Sequence, residues 1–269
     1  MPTIKSNNIN IAYDINGTGQ PLVFITGVGY GKWFWHKVVP GLAEKFQVVT
    51  FDNRGAGESD KPDGPYTVPM MAADTGDLLD ALNIKGAYVM GHSLGGYIAQ
   101  ELAVTRPDLI GKLILASTNF GGMKVIPITP EAMKVLTDRS GDPVELVKRG
   151  ISIACAPGFA ERQPQVAQEL LQYRFTSPVP PAQYAAQVAA GAGTMAYTDE
   201  QVDVRMKAVK VPTLILFGEF DNVVPSGNAD LMAQKIAAAK IKIIPGTGHM
   251  FPIEDPGATV KAITEFFVG

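Results

Sequence analysis

Gly91-His92-Ser93-Leu94-Gly95-Gly96 stands between a short apolar run, residues 87–90, and an amphipathic stretch, residues 94–105, that stops before Pro107. This order reads as strand, abrupt turn, helix, and it matches the G-x-S-x-G nucleophile elbow in the context that pattern requires. A strand that turns at once into a helix forces the serine into a strained backbone conformation. The residues two positions away on either side must be small, so that strand and helix can approach. The turn lifts the Ser93 hydroxyl clear of the sheet. It also aims the Leu94 N–H, at a helix N-terminus, toward any oxyanion that forms beside Ser93. A glycine- and serine-rich turn can arise by chance, but chance does not supply the flanking strand and helix.

Working outward, short β-branched runs alternate with helical patterns on both sides of this turn, the mark of a mostly parallel sheet covered by helices. Strands are expected at 10–15, 21–26, 46–51, 87–90, 113–116, 213–217 and 241–244. The run at 21–26 is nearly continuously apolar and suits a central position buried on both faces. Helices are expected at 68–82, 94–105 and near 229–238, with a last one opened by Asp255 and Pro256 as N-cap and first-turn proline. Regularity breaks after Asn119. From 120 to about 203 prolines recur between amphipathic pieces, with no strong strand, so this stretch reads as a helical lid inserted after the sixth strand. The expected division is a core of residues 1–119 and 204–269, with the lid at 120–203. The expected fold is an α/β architecture with an eight-stranded, mostly parallel central sheet.

A serine hydroxyl is a weak nucleophile and needs a base, usually a histidine oriented by a carboxylate. The chain has three histidines. His92 adjoins Ser93, but its side chain leaves the turn in another direction and reads as structural. His36 sits in the aromatic segment Trp33-Phe34-Trp35-His36, where a packed or surface role fits better. His249 lies in the loop Pro245-Gly246-Thr247-Gly248-His249-Met250, directly after the last strand, where a base belongs in the order serine, acid, histidine. Ser117-Thr118-Asn119, after the 113–116 strand, offers no carboxylate. Gly218-Glu219-Phe220-Asp221-Asn222-Val223-Val224, after the 213–217 strand, offers two. Asp221 is preferred, being deeper in the loop and followed by an apolar pair; Glu219 remains the competitor.

Composition narrows the function classes. The chain has 269 residues, 46% of them hydrophobic, with 23 basic against 26 acidic side chains and a net charge of −3. No basic cluster gives an electrostatic footprint for nucleic acid or an anionic membrane surface. Cys155 is the only cysteine, so an intrachain disulfide is excluded. The N-terminal residues are polar, and no stretch is apolar for the roughly 20 residues a membrane span needs. A soluble, cytoplasmic protein is the expectation, as monomer or homodimer, without nucleic-acid or membrane partners.

With these residues placed, the chain resembles the α/β-hydrolase superfamily over nearly its whole length. Gly27-Val28-Gly29 is similar to the family's oxyanion loop, Asp52-Asn53-Arg54-Gly55-Ala56-Gly57-Glu58-Ser59 to its D-x-R-G-x-G-x-S loop, and Gly248-His249 with Glu254-Asp255-Pro256 to its catalytic-histidine segment. The resemblance implies a catalytic triad of Ser93, Asp221 and His249, and an oxyanion hole built from the N–H groups of Val28 and Leu94. One departure is that Thr26 stands where the family usually has histidine, a feature shared with related carbon–carbon hydrolases. Serine at 93 speaks against the dehalogenase and epoxide hydrolase branches, which resemble this chain but carry aspartate there. The implied reaction is acyl transfer on a small-molecule carboxylic ester, needing no metal or other cofactor. Lactone hydrolysis, carbon–carbon cleavage and perhydrolysis are the alternatives within the fold, and a non-catalytic ligand receptor the alternative outside enzymology. Gly27, Phe120, Met123 and Met250 are the candidates for lining the substrate pocket. Apolar bulk in the lid points to small or medium apolar esters.

Overall fold

The computed structural model describes residues 2–138 and 140–269, and it forms the expected architecture. Eight strands make one sheet: β1 (Thr3–Ser6), β2 (Ile9–Asn16), β3 (Gln20–Ile25), β4 (Phe46–Phe51), β5 (Ala87–His92), β6 (Ile110–Ala116), β7 (Thr213–Gly218) and β8 (Lys240–Ile244). Their order is β1-β2-β4-β3-β5-β6-β7-β8, with β1–β2 and β2–β4 antiparallel and every other neighbour parallel. The chain moves outward from β3 to β4 on one side and to β5 on the other. That reversal opens a crevice at the carboxyl ends of β3 and β5, the place where open α/β sheets bind ligands.

Side-chain alternation distributes the core over two faces. Leu22 and Phe24 pack on one side of β3 with Trp35, Met90 and Phe267, while Val23 and Ile25 pack on the other with Val89, Leu102 and Leu113. All four are fully buried, which explains the continuous apolar run. Between strands come α1 (Val39–Ala43), α2 (Val68–Ala81) and α3 (Leu94–Thr105). Thr67 caps α2 by accepting the Met70 N–H at 3.2 Å, and Pro69 fits its first turn, where no N–H is required.

Between β6 and β7 the described residues contain no strand. The helices there are α4 (Pro130–Thr137), α5 (Pro143–Ala154), α6 (Phe159–Arg162), α7 (Pro164–Thr176), α8 (Pro181–Gly193) and α9 (Asp199–Ala208). The recurrent prolines open these helices: four of the six begin on one. The expected boundary at 203 falls inside α9. Thr198 and Gln201 form a capping box that starts this helix, and its Val202 and Met206 are buried in the cluster on the α3 side of the sheet. After β7 come α10 (Asn228–Ala233), α11 (Phe251–Glu254) and α12 (Pro256–Val268), the last capped by Asp255, which accepts the Ala258 N–H at 2.8 Å. Among the described residues no helix is long and apolar enough to cross a membrane.

Candidate active site

Ser93 sits between the end of β5 and the start of α3 with φ 56° and ψ −120°, a conformation that L-residues disfavour. Its N–H donates to the Ala116 carbonyl at 2.9 Å, stitching the turn to the end of β6. A Cβ on Gly95 would strike the Ile25 carbonyl, and one on Gly91 would strike that of Gly95, so only glycine lets strand and helix close up here. Gly91, His92 and Leu94 are buried while Ser93 is only half-buried; the turn delivers the hydroxyl to open space. Leu94 is the first residue of α3, so its N–H has no acceptor within the helix.

Asp221 and His249 meet across the loops that follow β7 and β8. His249 Nδ1 lies 2.8 Å from Asp221 Oδ2 and 3.0 Å from Oδ1. Asp221 is 5% exposed, and its Oδ1 accepts the N–H groups of Val223 and Val224 at 3.0 and 2.8 Å. The loop's own backbone thus fixes the carboxylate, and the carboxylate fixes the ring. A proton on Nδ1, donated to Asp221, leaves Nε2 as the basic nitrogen. Glu219 is exposed and accepts the Gly246 N–H at 2.9 Å; it braces the turn before His249 and does not share the ring.

Two further side chains hold the His249 loop: His92, which the sequence reading took only as structural, and Glu254, which it placed in the histidine segment without a role. His92 donates Nε2–H to the His249 carbonyl at 2.8 Å, with the two ring centroids 4.6 Å apart. Burial, reinforced by the His249 ring, holds the His92 imidazole well below its ordinary pKa, so it is a neutral strut. Glu254 accepts the N–H of Gly248 at 2.8 Å with one oxygen and that of Ala156 at 2.7 Å with the other. Burial pushes its pKa up to about 7, with the nearby Asp221 charge acting in the same direction. Burial and Glu254 also push the Cys155 thiol well above its usual range, which removes it as a nucleophile. His36, half-buried, spans the Trp33 carbonyl and Glu169 at 2.9 Å each, far from this chemistry in role.

On the β3 side, Gly27 lies against Ser93: a Cβ there would come within 2.9 Å of the Ser93 Cβ. Val28 follows it, half-buried. Thr26, the departure noted above, is fully buried and occupied: its Oγ1 accepts from Trp35 Nε1 at 3.0 Å and its carbonyl accepts from Asn53 Nδ2 at 2.9 Å. Met250 is buried beside His249 with its sulfur 3.5 Å from the Tyr30 hydroxyl. Phe120 is buried too, but among the apolar residues of the α3 face and under the Lys235 ammonium, so it is core before it is pocket. Met123 corrects the expectation. The chain before it is tied inward, Gly121 N–H to Asn119 Oδ1 and Gly122 N–H to the Thr194 carbonyl, and the Met123 side chain then projects outward, 81% exposed. Among the described residues no three His, Cys, Asp or Glu side chains gather in a way that could hold a metal ion.

Comparison with known proteins agrees with the fold. A family model described as alpha/beta hydrolase fold matches residues 20–256. The chain is 46% identical over 112 residues to the "Putative non-heme bromoperoxidase BpoC" of Mycobacterium tuberculosis, a match covering 41% of this chain and only 42% of that protein's length. A thermophilic esterase from Thermogutta terrifontis superposes with a TM-score of 0.80 at 27% identity, covering 99% of this chain and 96% of that one. The enol-lactonase from Burkholderia xenovorans LB400 does so with a TM-score of 0.82 at 25% identity, covering the whole of both chains.

Proposed function

Because the chain belongs to the alpha/beta hydrolase family, matched over residues 20–256, we propose that it hydrolyses carboxylic esters through an acyl-enzyme on Ser93. The observation that carries this reading is the buried Asp221–His249 pair, 2.8 Å apart and tied through His92 to the turn that bears Ser93. His249 Nε2 takes the Ser93 proton as the hydroxyl oxygen attacks the ester carbonyl. The carbonyl electrons move onto oxygen, where the N–H groups of Leu94 and Val28 receive the charge; each such donor is worth roughly 10²–10³ in rate. Collapse of the tetrahedral adduct breaks the bond to the alcohol, which leaves with the proton from His249. Water, deprotonated by the same nitrogen, then attacks the acyl-enzyme, and its collapse returns acid product and free Ser93. Asp221 keeps the ring in the productive tautomer and stabilises its cation.

Helices α4 to α8 serve in this reading as the lid. Its contacts with the oxyanion loop support that role: Arg174 of α7 donates to the Gly29 carbonyl, and Gln187 of α8 accepts the Gly29 N–H. The lid ends before α9, which packs with the sheet. Small or medium apolar esters are the substrate class. Lactones are the second reading, because a lactone is an internal ester open to the same attack and the enol-lactonase is a full-length structural neighbour.

A fluorophosphonate probe tests the chemistry directly. The wild type is expected to gain one covalent label on Ser93, and Ser93→Ala to gain none and to lose essentially all turnover. A folded wild type that stays unlabelled refutes the hydrolase reading and favours a ligand receptor. A panel of p-nitrophenyl esters of rising chain length beside simple lactones then ranks the substrates; preference for a charged acyl group refutes the apolar pocket.

A further inference from the structure

Gln187 is a fully buried amide in the middle of α8, a helix otherwise rich in alanine and glycine. It spends both ends of its side chain on backbone outside its own helix. Its Oε1 accepts the Gly29 N–H at 2.9 Å, and its Nε2 donates to the Arg54 carbonyl at 3.0 Å. Both partners are main-chain groups with unambiguous roles, so the orientation of the amide is determined by them. The far anchor is rigid. The Arg54 guanidinium is buried against Asp74 of α2, with Nε 2.5 Å from Oδ2 and Nη2 2.7 Å from Oδ1.

The near anchor bears on the reaction. Gly29 follows Val28 directly and adopts φ +76°, and a Cβ there would fall 2.8 Å from the Tyr184 ring of α8. Its N–H is held by Gln187 and its carbonyl by Arg174. On the other side of Val28, Gly27 is packed on the Ser93 Cβ. The Val28 amide is therefore boxed between a residue fixed by the nucleophile and a residue fixed by the helical insertion.

We propose that Gln187 is a positioning residue for ester hydrolysis. From α8 it holds Gly29, and through Gly29 it keeps the Val28 N–H aimed at the oxyanion. The insertion is thus part of the catalytic machinery and not a removable cover. This rests on the serine hydrolase reading above. Removing an oxyanion donor outright costs roughly 10²–10³ in rate; a donor left in place but loosely aimed loses less, about tenfold to a hundredfold.

The test uses the full chain and p-nitrophenyl butyrate. Gln187→Met keeps the length and removes both hydrogen bonds. Its kcat is expected to fall about tenfold or more with KM nearly unchanged. Affinity for a trifluoromethyl ketone, whose hemiketal alkoxide occupies the oxyanion position, should fall by a similar factor, while binding of a shape-matched alcohol inhibitor should hold. Gln187→Glu keeps an acceptor for the Gly29 N–H in either protonation state and should recover most of the rate. Gln183→Met is the control. That buried glutamine lies one turn away on α8 and bonds the Lys61 and Pro62 carbonyls instead, so its loss should leave kcat within about twofold. Equal weakening of both inhibitors, unchanged kcat in Gln187→Met, or a Gln187→Glu as slow as Gln187→Met overturns the proposal. An unlabelled Ser93 in the wild type is a different failure: it refutes the hydrolase reading, and this inference falls with it.

Discussion

Strands β3, β5, β6 and β7 end in runs buried on both faces, whereas helices α4 to α9 hide little of themselves. In β7 every residue from Thr213 to Gly218 is buried. In α4 only Ala132 is, and in α7 only Leu170, while Met133, Phe175 and Val204 stand 46%, 46% and 63% exposed. The helices' buried apolar residues, among them Ile151, Phe159, Leu170, Val202 and Met206, join the two core clusters, and polar stitches add to that: Gln187 to Gly29 and Arg54, Arg205 to Glu101, Ala156 to Glu254. Apolar burial makes the sheet the frame, and Ser93, Asp221 and His249 all follow its strand ends. Directional hydrogen bonds from the helices reach individual backbone groups beside Ser93, as Gln187 does at Gly29. On the proposed reading the sheet contributes chiefly stability, and the helices contribute alignment as well.

That division can be broken or sharpened by measurement. The largest effect belongs to the acid on the frame. Asp221→Asn should lower kcat by about 10⁴, because the amide selects the wrong imidazole tautomer, while Glu219→Gln stays near wild type. A reversed pair of results reassigns the acid. Next comes the frame itself. Ile215→Ala, in fully buried β7, should cost about 2–5 kcal/mol in urea unfolding. Val204→Ala, exposed on α9, should stay within about 0.5 kcal/mol; equal losses would erase the contrast between the regions.

A smaller effect probes a stitch between them. Glu254 holds its proton more tightly folded than unfolded, with its pKa raised from 4.5 to about 7. The stabilisation this proton brings is therefore complete below pH 4.5 and is lost as pH rises through about 7. At about 1.4 kcal/mol per unit, the loss is at most about 3.5 kcal/mol. Glu254→Gln has no such proton, so the stability of wild type relative to the variant should decline between about pH 5 and about pH 8. The opposing shift at His92 is common to both proteins and cancels. Parallel pH curves would show that Glu254 does not titrate in this range.

The same contrast explains what could be read from the sequence. Where burial is two-sided, the pattern is continuous and legible: 94–105 is helical to the residue, and β3, β4 and β7 lie within a residue of expectation. Strand β1 escaped, being a four-residue edge strand with only Ser6 buried. Strand β6 starts at Ile110, three residues early, because Gly111 and Lys112 interrupt its apolar run. The helix expected to reach 238 stops at Ala233, where tight turns take over and Ala238 adopts φ 58°. Ser93, His249 and Asp221 could be singled out as candidates because strand ends and chain order limit where such residues can sit. Gln187 was not. One amide in an alanine-rich helix carries no periodic signal, and its meaning lies in two backbone groups more than 130 residues away.

The backbone of Ser93 has a consequence for engineering. At φ 56° the residue sits where glycine would be at ease, so local preference and chemistry oppose each other at this position. A screen that rewards heat resistance alone would tend to erase the serine, and a screen for turnover would have to repurchase the loss elsewhere. Buried β5 before it, and the Ala116 carbonyl at the end of β6 that accepts its N–H at 2.9 Å, hold the residue in that conformation.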